Sequence, residues 1–136
     1  MPLEKKWEQF DGGPKAAPGR GGVRVTINRS GMIYLNDKAY DLLGRPEAVE
    51  LYYCREDDAI ALEPTLARKE RNFILRKKQM GWAIYASSFC RHYRIRVATT
   101  EEFPRPERTT DGHMILSMRS TFTVGERRPK RVGENA

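Results

Sequence analysis

What most constrains this chain is the order of short apolar runs and backbone breakers between Val23 and Pro64. Val23, Val25 and Ile27 alternate with Arg24, Thr26 and Asn28, the period of a half-buried strand. Arg29-Ser30-Gly31 turns the chain, with Gly31 free to take a positive φ. Met32-Ile33-Tyr34-Leu35 reads as a second strand, and Asn36-Asp37 offers side chains that cap a helix. Lys38 to Leu43 then fits two helical turns, with Gly44 a natural stop and Pro46 a barrier to continuation. Val49-Glu50-Leu51-Tyr52-Tyr53 is a third strand, Arg55-Glu56-Asp57-Asp58 a polar turn, and Ala59-Ile60-Ala61-Leu62 a fourth strand that Pro64 closes. Two hairpins and one short helix are too little to bury an adequate core, so such a unit needs a second copy.

A second copy is legible in outline. After a polar linker, residues 65–71, a strand is expected over Asn72 to Lys77, a glycine turn at Gly81 and a strand from Trp82 to Ala86. Ser87 and Ser88 are expected to cap a short helix over Phe89 to Tyr93. Arg94 to Thr100 has β character, Pro104 and Pro106 break the next segment, and an Asp111-Gly112 turn leads into a last strand, His113 to Met118. Gly31 matches Gly81, Ile33-Tyr34 matches Ile84-Tyr85, and Asp57 to Leu62 matches Asp111 to Leu116. This is the pattern of a diverged tandem duplication, against the alternative of chance agreement among short strands and glycine turns. The third strand of the second copy has no obvious place, and its helix lacks a Leu-Gly ending.

The first unit resembles the AbrB/SpoVT/MraZ superfamily of swapped-hairpin proteins. The marks are Val25-Thr26-Ile27, Gly31, Ile33-Tyr34-Leu35, Asn36, Leu43-Gly44, Val49-Glu50-Leu51-Tyr52 and Ile60-Ala61-Leu62-Glu63-Pro64. The resemblance implies a mainly β fold with short helices, a swapped-hairpin-like β-barrel formed either as a single-chain, monomeric pseudo-dimer of two ββαββ repeats or within a homo-oligomer. The expected organisation is an arm over 1–22, repeats over 23–64 and 72–118 joined by 65–71, and a basic tail over 119–136. It also implies binding to duplex DNA, as a transcriptional regulator or an antitoxin-like protein. Arg24 and Arg29 of the first hairpin and Lys77 and Lys78 of the second are the expected phosphate ligands, extended by Arg45, Arg91, Arg94 and Arg96. Arg29 is the best placed of them for a base contact. The family often carries a basic residue after the turn glycine and more within the short helix, where this chain has Met32, Tyr40 and Asp41. Those three residues favour the alternative, a protein-interaction or assembly module that keeps the fold without the DNA surface.

Composition bounds these readings. The chain has 136 residues, enough for one compact domain, with 39% hydrophobic and 32% charged residues. The net charge of +7 favours polyanionic partners, although much of the excess lies in Lys5, Lys6, Lys15, Arg20, Arg127, Arg128, Lys130 and Arg131 near the ends. No apolar run reaches the length of a membrane span and no signal-peptide pattern opens the chain, so a cytoplasmic location is expected. Trp7 and Phe10 serve either as a short anchor, onto the body or onto a protein partner, or as aromatics in a mobile arm. Cys54 and Cys90 have no metal-ligand spacing and read as two reduced thiols, with a disulfide still open. No phosphate loop, dinucleotide fingerprint or metal cluster is present, and neither His92 near Cys90 nor the carboxylates Glu56-Asp57-Asp58 and Glu101-Glu102 form a convincing catalytic set. The expectation is therefore a binding protein without cofactor or metal, not an enzyme, with both carboxylate clusters solvated.

Overall fold

The structure, a computed structural model, describes residues 22–67 and 69–124. The expectations for the N-terminal arm up to residue 21, with its Trp7 and Phe10, and for the basic cluster Arg127 to Arg131 lie outside the described residues. The first half follows the alternation of its sequence. β1 (Val25–Ile27) and β2 (Met32–Asn36) form a hairpin, α1 (Asp37–Leu43) comes next, and β3 (Ala48–Cys54) and β4 (Ala59–Thr65) form a second hairpin. α1 starts where Asn36 leaves helical geometry and its Oδ1 accepts a hydrogen bond from the Ala39 amide at 2.9 Å. It ends at Gly44, whose φ of 98° lets its N–H donate back into the last turn. Pro64 lies inside β4 rather than closing it.

The second half keeps the order with more interruptions. β5 (Phe73–Ile74) and β6 (Arg76–Lys78) replace the single expected strand, with buried Leu75 at the bend between them. β7 (Gly81–Tyr85) and α2 (Ser87–Tyr93) come after them. Neither Ser87 nor Ser88 caps α2: the N-cap position is Ala86 and no side chain bonds there. Arg94 to Thr100 is irregular chain, not a strand. β8 (Glu101–Phe103), β9 (Glu107–Arg108), β10 (Met114–Ser117) and β11 (Phe122–Thr123) complete the fold, with a 3-10 turn over Met118–Ser120. The first residues of the expected tail therefore belong to the body.

The strands form two antiparallel sheets rather than the expected closed barrel. One runs β11-β8-β1-β2-β7-β6 and the other β5-β3-β4-β10-β9. Among the described residues one sheet ends at β11 and β6 and the other at β5 and β9, and no strand ladder joins the two. The chain itself crosses between them four times among the described residues, through α1, at Leu75, over Pro104 to Pro106 and through the 3-10 turn Met118–Ser120. Prolines carry no ladder donor, and here they end β8 before β9 begins. One apolar cluster takes Val25, Ile33, Leu35, Ile84 and Phe103 from the first sheet and Val49, Ile60, Leu62, Met114 and Leu116 from the second. Each such side chain contributes about 1.5–3 kcal/mol by leaving water, against about 0–1 kcal/mol for an exposed ion pair, so this cluster carries the fold.

The registers repeat across the halves. Val25 faces Phe103 in the first sheet, and Phe73 faces Val49 in the second. Ile33 faces Ile84 where β2 meets β7, and Ala61 faces Ile115 where β4 meets β10. Tyr53 faces Ile60 on β3–β4, and Arg108 faces Met114 on β9–β10. β8 and β9 make with β1 and β10 the kind of pairings that β3 makes with β5 and β4.

Candidate nucleic-acid interface

The tip of the first hairpin is built around one side chain. Asn28 Oδ1 accepts hydrogen bonds from the Ser30 amide at 3.0 Å, the Ser30 hydroxyl at 2.8 Å and the Met32 amide at 2.9 Å. The Gly31 amide donates to the Asn28 carbonyl at 3.0 Å, and Gly31 takes a φ of 87°. Its carbonyl accepts from the Ala86 amide at 3.0 Å, which fastens the tip to the start of α2. A methyl group added at Gly31 would lie 2.7 Å from Ser87 Cα, so the approach needs glycine for space as well as for φ.

This junction brings Arg29 of the tip to Arg91 of α2. Both line a pocket of about 180 Å³ together with Ser30, Ser87, Cys90 and Ile95. No carboxylate lines it, and neither arginine has an ion pair among the described residues. Two guanidinium groups and two hydroxyl-bearing residues over an apolar floor suit an anionic oxygen-rich group. Burial pushes the Cys90 thiol up from its ordinary value, so at neutral pH it stays a neutral thiol in the wall of this pocket. Arg94 and Arg96 lie on the exposed chain beyond α2, Arg94 in the left-handed conformation at φ 58°.

The other basic candidates are engaged differently. Arg24 Nε donates to Glu102 Oε1 at 3.2 Å. Glu102 keeps only 7% of its surface in water, so the solvated reading of the Glu101-Glu102 cluster fails at this residue. Its charge is offset by the guanidinium instead. Arg45 pairs with Asp41 one helical turn back and lies over the Tyr40 ring at 4.9 Å. Lys77 Nζ sits 5.3 Å from the Trp82 ring centre, and Lys78 Nζ 5.2 Å from that of Tyr85. Tyr40 and Trp82 stack at 4.1 Å, so Arg45 and Lys77 each lie against one ring of a stacked pair. Lys77 and Lys78 sit beside the β6–β7 turn, at the end of the β2–β7 ladder away from Arg29. The eight basic candidates therefore do not gather into one cluster.

Gly81 differs from its expected role. Its φ is not positive; it is a strand residue. A methyl group there would meet the Leu35 carbonyl oxygen and lie 2.6 Å from Tyr34 Oη, whose hydroxyl donates to the Met80 carbonyl at 2.7 Å. Close packing, not backbone handedness, is what requires glycine.

On the second sheet, Tyr52 donates to Glu50 Oε1 at 2.6 Å, and that carboxylate pushes the phenol up to about 12. His113 Nε2 lies 3.6 Å from Glu63 Oε1. Among the described residues no group of three or more His, Cys, Asp or Glu could hold a metal ion. No described helix is long and apolar enough to cross a membrane. The sequence reading missed Asn28, Ser30 and Ser87 as builders of the pocket. The run Asn28-Arg29-Ser30-Gly31 carried the signal, because Asn two residues before a polar turn position reads as an Asx turn. The chain matches no family model, no curated protein and no solved structure.

Proposed function

We propose that the chain binds duplex DNA through the Arg29–Arg91 pocket, as a regulator or antitoxin-like protein of the AbrB/MraZ type. The observation that carries this is the meeting of two arginines, from a hairpin tip and from a distant helix, at a pocket that no carboxylate lines among the described residues. In this reading the pocket takes a backbone phosphate, Arg94 and Arg96 extend the field, and Arg29, at the tip, is free to reach a base edge. Arg24 and Arg45 are weaker candidates in this reading, since a phosphate would compete there with Glu102 and Asp41.

The proposed fold behind it is a single-chain pseudo-dimer with swapped hairpins. The matched registers support it: the first strand of each half pairs with the third-strand segment of the other, and Ile33–Ile84 and Ala61–Ile115 pair equivalent residues. Reciprocal packing supports it too, Gly31 against Ser87 and Gly81 against Leu35 and Tyr34.

The test is the salt dependence of duplex binding, measured by fluorescence anisotropy. Each phosphate contact contributes about −0.9 to the slope of log K against log salt. Arg29→Ala with Arg91→Ala should weaken binding and lower the slope's magnitude by roughly two. Wild-type affinity and slope in the double variant would remove the pocket from the interface. The assembly-module reading gains from one observation: half of the basic candidates are occupied within the fold, by Glu102, Asp41, Trp82 and Tyr85.

A further inference from the structure

We propose that the open edge at β6 docks an acidic, extended segment of a partner protein, which adds antiparallel to the first sheet as one more strand. β6 is the terminal strand of that sheet, with β7 on one side and no strand on the other among the described residues. Arg76, Lys77 and Lys78 are all exposed, and none has a carboxylate partner among the described residues. An edge of this kind turns the backbone donors and acceptors of alternate residues outwards, which is what strand addition uses. At its ends the Leu75 amide donates to the Glu47 carbonyl at 3.1 Å and the Lys78 carbonyl accepts from Lys77 Nζ at 3.0 Å, a side-chain bond that an incoming strand would displace.

Specificity comes from the side chains around it. Arg76 and Lys78 alternate to one face, where Lys78 lies over the Tyr85 ring. On that face a pocket of about 210 Å³ opens between Asn72, Phe73, Ile74, Arg76 and Tyr85. Ile74 and Tyr85 are 41% and 49% exposed, unusual for large apolar side chains so close together. Asn72, in the pocket wall, has its Oδ1 shut off from water, with no hydrogen-bond donor to it among the described residues. An antiparallel strand would run from the β6–β7 turn towards Ile74. Its carboxylates would pass Lys78 and Arg76 first, and an apolar side chain two residues later would enter the pocket.

A second copy of β6 is a poor occupant, since pairing two such edges sets cations opposite cations. The same sheet already holds a strand of the proposed chemistry. β8, Glu101-Glu102-Phe103, lies antiparallel on β1, with Glu102 bonded to Arg24 and Phe103 buried.

The probe is a fluorescein-labelled heptapeptide, Thr-Glu-Thr-Glu-Thr-Phe-Thr, titrated with the full chain and monitored by anisotropy. Saturable binding is expected, at least tenfold tighter than for the peptide with Lys in place of Glu. N-methylation of alternate peptide amides keeps the charges and removes donors, and should weaken binding at least tenfold. Arg76→Glu with Lys78→Glu should reverse the preference to the lysine peptide, with tryptophan emission reporting that the hairpin stays folded. Arg29→Ala with Arg91→Ala should leave peptide binding unchanged, which separates this edge from the phosphate pocket. Absence of saturable binding overturns the inference, and so does undiminished binding of the N-methylated peptide, which would mean charge attraction without strand pairing. It also falls if the Glu pair of substitutions abolishes duplex binding while no peptide binds, because the edge then belongs to the nucleic-acid surface.

Discussion

The two halves reach the same pairings by different local means. α1 closes at Gly44 and α2 at Arg94, yet each residue in this position takes a positive φ and donates its N–H to the carbonyl three residues back. The residue after each closes a second bond, from Arg45 to Tyr40 and from Ile95 to Cys90. β3 is one strand of seven residues, while β8 and β9 supply the corresponding pairings on either side of Pro104 and Pro106. The register survives both changes, so what the fold specifies is which residues meet, and the devices that achieve it are interchangeable.

Separating the halves is the harshest test of that comparison. A fragment ending at Glu70 loses β7, β8 and β10, the strands that cover β2, β1 and β4. It should show no cooperative melt as a monomer, by circular dichroism with sedimentation, and should either stay unfolded or self-associate. A monomeric fragment with a sharp melt would show that the first half stands alone.

Next in size are the two glycines that fasten each half to the other. Gly31→Ala puts strain on a positive φ and a methyl against Ser87; Gly81→Ala puts a methyl against Leu35 and Tyr34. Overpacking of this kind costs about 1–3 kcal/mol, and both variants should lose that much in urea denaturation. If Gly81→Ala melts with wild type, the second hairpin does not sit as described.

Smaller and opposite effects are expected at the helix ends. Gly44→Ala should cost about 1 kcal/mol, because alanine is strained where glycine is not. Arg94→Gly should gain some of the strain released at its left-handed φ, about 0.5 kcal/mol after the added unfolded-state entropy. Loss of stability in Arg94→Gly would mean that the arginine side chain has a structural partner that outweighs its backbone. The mildest test compares thiols. Cys54 is exposed and Cys90 buried with a raised pKa, so a disulfide-exchange reagent at pH 8 should titrate one thiol at once and the second only on unfolding. Two fast thiols would mean that the wall of the Arg29–Arg91 pocket is open.

The first half was readable because its information is local. Strand alternation, an Asn cap and a Leu-Gly stop lie within a few residues of what they control, and β1 to β4 with α1 obey them. The second half was readable only where it repeats that chemistry. Glu102 looks solvated until Arg24, distant in sequence, is beside it. Asn72 to Lys77 reads as one strand, since nothing local marks Leu75 as a bend between sheets. Arg94 gives no hint of a left-handed stop, and Gly81 hints at a turn while serving a close approach. For the site, the arginines could be named, but not which of them meet: the Arg29–Arg91 pocket depends on a hairpin tip resting on a helix from the other half.

Asn28 has a kinetic consequence. One carbonyl oxygen serves three donors, and the next glycine is pinned to the start of α2, so the tip has little freedom beyond the Arg29 side chain. A loop that must first order itself delays capture and surrenders affinity to that ordering. This one stands as a fixed post: an anion arriving at the pocket would be captured at a rate set by diffusion and the protein's field, and would wait for nothing but the rotation of the Arg29 and Arg91 guanidinium groups.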